Sequence, residues 1–314
     1  MENALVLGTL AIDDIETPTA SSKKIMGGSG SFASISCSKF ANTHLISVIG
    51  KDYPDKFIKK LKKSGVNIEK IKKIDEVNSF SYSCKYTKDF KHRISLKTEL
   101  NCLEKFNLNY LNELDFDYVC LSAFSPKIQM DLVLKLKNPK VIVADTIEFY
   151  IKHNREELNS LFSKIDGLIV NEQEAMMIAN KRDIKKCGQE ILKYNLKFLI
   201  IKRAEHGAIL FYRNIQYNIP AFSKWKVIDP TGAGDTFIGT FVGYLASRKF
   251  KFNDKNEVEL LIKAIEIAVV CSSVAIACFS VGRLMNIRTQ DLKLLNIQYQ
   301  VRNQIQFKKR MADD

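Results

Sequence analysis

Short runs of Val, Ile and Leu alternate with longer amphipathic stretches along most of the chain. The runs at residues 4–12, 43–49, 118–121, 141–144, 167–170 and 197–201 are continuous enough to be strands buried on both faces. Helical patterns lie between them near residues 29–41, 55–64, 128–137 and 172–180. Right-handed crossovers stack such an alternation into an α/β fold, a doubly wound, mostly parallel sheet flanked by helices. Further on, Ala208–Tyr212 and Ile215–Ile219 flank Arg213-Asn214 and predict a hairpin, with long helices at 233–247 and 258–278.

One stretch departs from this rhythm. Between residues 77 and 98 polar and apolar positions alternate with period two, interrupted only by a polar turn at 88–91, and no helix intervenes. It predicts a small antiparallel β lid, formed by about residues 14–26 and 77–99 and inserted in a single domain of residues 1–314. Such flaps often cover a ligand site. The end of the chain, residues 305–314, is expected to fray.

Composition narrows the class. A chain of 314 residues with 46% hydrophobic and 26% charged positions can bury a large core. No apolar run reaches the roughly 18–20 residues of a membrane span, and the start has neither the basic flank nor the cleavage site of a signal peptide. Seven scattered cysteines without a C-x-x-C pair argue against structural zinc and for a reducing, cytoplasmic setting. The net charge of +13 is spread over helix faces such as Lys56, Lys59, Lys60, Lys62 and Lys63. It reads as solvated lysine that favours anionic ligands in general, not as a nucleic-acid surface.

The strongest local signal is Asp229-Pro230-Thr231-Gly232-Ala233-Gly234-Asp235-Thr236, followed at once by an apolar helical pattern. Proline and two glycines force a tight turn poor in Cβ atoms, and unpaired N–H groups at the helix start form an anion site. Asp235 either caps this helix or takes a proton from an attacking hydroxyl beside a bound phosphate. Spacing alone leaves both open. No G-x-x-x-x-G-K-[ST] loop occurs. Gly28-Ser29-Gly30-Ser31-Phe32-Ala33 fits the loose dinucleotide pattern but is not preceded by the apolar strand that pattern requires.

With these residues the chain resembles the PfkB/ribokinase family of carbohydrate and nucleoside kinases over almost its whole length. The resemblance rests on Asp229 to Asp235, on Gly27-Gly28 opening a helix, on Gly8 to Asp13, and on Asn171-Glu172-Gln173-Glu174 after a strand. It implies a ribokinase-like fold and an ATP-dependent phosphotransferase acting on a sugar or sugar-like hydroxyl. Asp235 would be the general base, and Gly232, Ala233 and Gly234 the anion hole. Asp13, Gly27, Gly28 and Arg93 would bind the acceptor. Asn171, Lys202, Gly207, Thr231, Gly232 and Gly234 would meet the nucleotide, and Asn171 with Glu174 would hold Mg²⁺ through water. It also raises a K⁺ site, although residues 275–284 lack the acidic residue often seen near that loop, and a homodimer through the lid. Ala204 stands where the nucleotide loop usually has glycine. A nucleoside acceptor stacked on Phe32, Phe80, Tyr82 or Tyr86 is the alternative within the family. A non-catalytic, metabolite-binding member is the alternative outside enzymes.

Overall fold

Runs of aliphatic residues too apolar to face water on either side dictate a sheet covered on both faces, and the computed structural model, which describes residues 1–313, has one. Its strands are β1 (Asn3–Leu7), β4 (Asn42–Gly50), β5 (Val66–Asn67), β6 (Ile71–Ile74), β9 (Tyr118–Leu121), β10 (Val141–Ala144), β11 (Gly167–Asn171), β12 (Phe198–Lys202), β13 (Ala208–Tyr212) and β14 (Ile215–Ile219). They run in the order β14-β13-β12-β11-β10-β9-β1-β4-β5, with β6 also on β4, and all pairings are parallel except β12–β13 and β13–β14. The hairpin expected around Arg213-Asn214 is that antiparallel edge; both turn residues have positive φ, 48° and 63°.

Two helical layers cover the sheet. One holds α1 (Ser29–Cys37), α2 (Asp55–Lys63), α8 (Ala233–Ser247), α9 (Glu257–Ala275), α10 (Gly282–Asn286) and α11 (Thr289–Asp313). The other holds α3 (Pro126–Val133), α4 (Glu148–His153), α5 (Arg155–Phe162), α6 (Glu172–Ala179) and α7 (Ile184–Ile191). Alternate strand residues feed the two layers: Val6, Tyr118, Cys120 and Val143 face the first, Leu7, Val119, Leu121 and Ala144 the second. The fraying expected for residues 305–314 concerns side chains outside those described.

The lid is a separate sheet, β3-β2-β7-β8, of β2 (Ala11–Glu16), β3 (Ser21–Gly27), β7 (Phe80–Tyr86) and β8 (Arg93–Glu99). Two antiparallel hairpins are joined by one parallel pairing, β2 with β7. The single strand expected over residues 4–12 is therefore two. The chain leaves the main sheet at Gly8 because the backbone there packs directly on Gly30; a Cβ at Gly8 would lie 2.5 Å from the Gly30 Cα.

A glycine-lined helix contact sets the site. α1 and α8 run side by side in the same direction, with Phe32 under Gly232, Ala33 and Ser36 against Gly239, and Cys37 against Gly243. A Cβ at Gly239 would overlap the Ala33 carbonyl, and one at Gly243 would meet the Cys37 backbone. Their shared direction brings both N-termini to one end of the sheet, at the C-terminal ends of its strands. Gly239→Val should force the helices apart and destabilise the protein by about 2–3 kcal/mol. Denaturant unfolding measures this, and an unchanged midpoint would show that the contact can yield.

Candidate active site

Five consecutive parallel strands end at one rim. Directly at or after those ends stand Gly8, Ser122, Asp145, Asn171 and Lys202. In an open α/β sheet this is where ligands bind. The two glycine-rich helix starts complete the rim.

The turn before α8 has the geometry its sequence demands. Gly232 takes φ 78°, and any Cβ there would strike the Phe32 ring. The Asp229 carboxylate accepts the Thr231 N–H at 2.9 Å, Ser272 Oγ donates to the Ala233 carbonyl at 3.0 Å, and a Cβ on Gly234 would come 2.9 Å from the Lys202 ammonium. The N-cap of α8 is Gly232, which has no side chain to cap with. The Asp235 carboxylate accepts from Ser122 Oγ at 3.0 Å and lies by its own backbone N–H. Burial pushes its pKa upward, opposed by the charge of Lys202, the Ser122 bond and the charge of Arg93.

Facing this turn is the start of α1. Gly28 has φ 86° and its missing Cβ makes room for the Thr9 carbonyl; a Cβ on Gly27 would overlap the Asp13 carboxylate. Asp13 is 3% exposed and its Oδ1 has no hydrogen-bond partner. Burial and then the neighbouring Asp229 carboxylate raise its pKa to about 7, against the lowering pull of Arg93 and the Gly28 N–H. Arg93 extends from the exposed strand β8 with its guanidinium 5.2 Å from the centre of the Tyr82 ring.

The small sheet touches the rim at two points. Tyr86 Oη lies 3.0 Å from Thr231 Oγ1, and Lys91 at the hairpin tip pairs at 2.8 Å with Glu205 in the short turn 204–206 after β12. In that turn Ala204 adopts φ 46°, a left-handed conformation that favours glycine, and Gly207 has φ 87° where a Cβ would overlap the Ile219 carbonyl. His206 is on the surface of this turn, and Trp225 packs against Phe222 and Arg283.

Asn171 and Glu174 form a reciprocal capping box at the start of α6: Asn171 Oδ1 accepts from the Glu174 N–H and Glu174 Oε2 from the Asn171 N–H, both at 2.8 Å. Glu174 is buried, and burial raises its pKa while Lys202 lowers it. No three His, Cys, Asp or Glu side chains are grouped to enclose a metal among the described residues. The Glu174 oxygen left outside the capping box would suit a divalent ion held through water, not an all-protein cage. The residues 275–284 do lie at the turn: the Ile276 carbonyl accepts from the N–H groups of Ile228 and Asp229.

The rim thus unites Asp13, Gly27, Gly28, Arg93, Thr231 to Asp235 and Lys202, with Asn171 and Glu174 along its edge and Gly207 behind the lid tip. Phe32 is the exception among the stacking candidates; 2% exposed and packed under Gly232, it has no face left for a base. Two side chains escaped the sequence reading, Ser122 and the buried Asp145, whose pKa burial raises strongly although Lys202 opposes it. Each is the first residue after a strand legible in the sequence, and that position was the signal.

Comparison with known proteins identifies the family and the fold. Residues 1–287 match the model of a family described as pfkB family carbohydrate kinase. The cytidine kinase of Thermococcus kodakarensis is 28% identical over 261 residues, 79% of this chain and 90% of that one. The ribokinase of Schizosaccharomyces pombe is 23% identical over 276 residues, 80% of each. Among solved structures, the nucleoside kinase of Methanocaldococcus jannaschii superposes with a TM-score of 0.76 at 19% identity, covering 95% of this chain and 99% of that one. The fold is that of the ribokinases.

The raised Asp13 pKa has a consequence for stability. Between about pH 4 and 7 the folded protein holds a proton that the unfolded chain has released, so stability falls as pH rises through that window. Asp13→Asn removes this residue's share of the dependence. It should stabilise the ligand-free protein at pH 8 by on the order of 2 kcal/mol and by little near pH 4. Unfolding curves across pH decide it; an advantage that does not grow with pH contradicts the assignment.

Proposed function

Because the chain belongs to the pfkB family of carbohydrate kinases, we propose that it moves the γ-phosphoryl group of ATP onto a hydroxyl of a sugar or sugar-like acceptor. The observation that carries this reading is the position of the Asp235 carboxylate, in the first turn of α8 beside its glycine-rich start and hydrogen-bonded to Ser122 Oγ. A carboxylate beside a phosphate site is repelled unless it accepts a proton there.

The proposed step is an in-line displacement. Asp13, with the Gly27-Gly28 backbone, holds the acceptor, and its unpartnered Oδ1 receives an acceptor hydroxyl. Asp235 takes the proton of the attacking hydroxyl as its oxygen bonds to the γ-phosphorus and the bond to the ADP oxygen breaks. The N–H groups of Gly232, Ala233 and Gly234 and the Lys202 ammonium stabilise charge on the transferred group. Thr231, Asn171 and the Gly207 turn meet the nucleotide, while Arg93 closes over the acceptor from the lid. Magnesium, touched through water by Glu174 and Asn171, would neutralise the polyphosphate. Lid closure excludes water, limiting hydrolysis of ATP.

A nucleoside acceptor is the second reading. It is favoured by the Tyr82 ring with Arg93 across its face on the underside of the lid, and by the resemblance to a cytidine kinase. Free ribose would leave that aromatic surface unused. The seven free thiols suit a reducing compartment, so the cytoplasm is the proposed location.

Coupled ADP release against a panel of sugars, sugar phosphates and nucleosides tests the reading. Asp235→Asn should keep ATP binding and lose two to four orders of magnitude in turnover, roughly the range for removal of a general base. Near-native turnover in that variant would refute the role.

The lid also carries the proposed homodimer contact. Strand β8 is an edge strand that exposes Ile94 and Leu96, with Leu100 exposed just beyond it. Sedimentation should give a dimer at micromolar concentration, and Ile94→Lys with Leu96→Lys a monomer. A monomeric parent protein would remove the proposal.

A further inference from the structure

The loop after β9 does more than connect it to α3. Ser122 is fully buried, and its backbone is held from both sides without its side chain: its N–H donates to the Leu7 carbonyl at 2.9 Å, and its carbonyl accepts from Gln129 Nε2 at 3.2 Å. Gln129, itself fully buried on α3, also reaches the carbonyls of Leu121 and Asp145, both at 3.2 Å, and so ties the ends of β9 and β10 together. The hydroxyl of Ser122 is therefore not needed to shape the loop. It donates to Asp235 Oδ1, the one side-chain hydrogen bond to that carboxylate among the described residues.

The next residue joins the same loop to the opposite wall. The Ala123 carbonyl accepts from Ser29 Oγ at 2.9 Å, and Ser29 in turn accepts the Thr9 N–H at 3.0 Å while its own N–H donates to Thr9 Oγ1 at 3.1 Å. Ser29 opens α1 directly after Gly27-Gly28. Two adjacent residues thus hold the carboxylate on one side and the glycine turn on the other. We propose that Ser122 is a positioning residue for Asp235, and that the Ser122-Ala123 pair sets the distance between the base and the acceptor turn. This rests on the reading of Asp235 as base. With Oδ1 engaged by Ser122, Oδ2 is the atom left to take the acceptor proton.

The contact can be tested without a known acceptor. The Asp235 carboxyl is titrated by ¹³C NMR in protein labelled at aspartate, its resonance identified by its loss in Asp235→Asn. The charged and titratable groups around it come from several elements: Lys202 on β12, Arg93 on β8, Asp13 on β2, Asp145 after β10 and Cys120 on β9. None is altered in Ser122→Ala, so a change in midpoint reports the lost hydroxyl. A donor to a carboxylate favours the ionised form, and its removal should raise the midpoint by about one pH unit. Ser122→Cys, close in size but a weak donor, should fall between parent and Ala variant and serves if the Ala variant does not fold. A midpoint unchanged in the variants overturns the proposal.

Kinetics separate the two claims. With an acceptor found in the panel, Ser122→Ala should lower kcat about tenfold with the KM for ATP within about twofold, and shift the acidic limb of the kcat profile upward. If Asp235→Asn keeps its turnover while the NMR midpoint still moves, the base assignment falls and the Ser122 contact stands. If Asp235→Asn is inactive and Ser122→Ala matches the parent in midpoint and kcat, only the positioning role falls.

Discussion

Everything at the rim depends on how closely α1 and α8 approach each other. Gly239 and Gly243, one helical turn apart, let backbone touch backbone, and the two helices then run in parallel from a common end. Each helix starts with a glycine-rich turn; at α1 the N–H groups of Ser29 and Gly30 donate to Thr9, and that of Ser31 to the Gly28 carbonyl. A wider spacing filled by side chains would place these two starts too far apart for one small molecule to touch both. Packing thus brings two glycine-rich turns into a single cleft, and the parallel sheet beneath supplies Ser122, Asp145, Asn171 and Lys202 from its strand ends.

The cleft gathers five carboxylates, Asp13, Asp145, Glu174, Asp229 and Asp235, around Lys202 and Arg93. Burial raises the pKa of every one of the five; Arg93 lowers that of Asp13 and Asp229, Lys202 that of Asp145, and both cations lower those of Glu174 and Asp235. Such an arrangement is costly in an empty protein and is tolerated because the cations, the Ser122 hydroxyl and the backbone N–H groups share the load. It is the pattern expected where catalytic groups are held near the protonation state their task requires. The small sheet contributes to the same balance through Arg93 on β8.

Much of this was legible in the chain because the decisive signals are local. Pro230, Gly232 and Gly234 force a turn whatever surrounds them, and the runs at 118–121 and 141–144 are strands at the limits their hydrophobicity marks. What escaped depends on partners distant in sequence. The break at Gly8 follows from its contact with Gly30, and Phe32 is consumed by Gly232, 200 positions away. Ser122 belongs to no motif; its contact with Asp235 appears only when β9 is placed beside β1 under α8. Ala204 shows the reverse, a position where the backbone keeps a glycine-like conformation although the side chain changed.

The central claim is that the amides opening α8 grip the phosphoryl group to be transferred. Amide NMR of protein labelled at glycine tests it directly, with a non-hydrolysable ATP analogue compared with AMP in the presence of Mg²⁺. The N–H signals of Gly232 and Gly234 should move strongly with the analogue and little with AMP, because only the longer ligand reaches the turn. Signals that stay in place while those near Gly207 shift would mean that the nucleotide binds without presenting its phosphates there, and the account would be wrong.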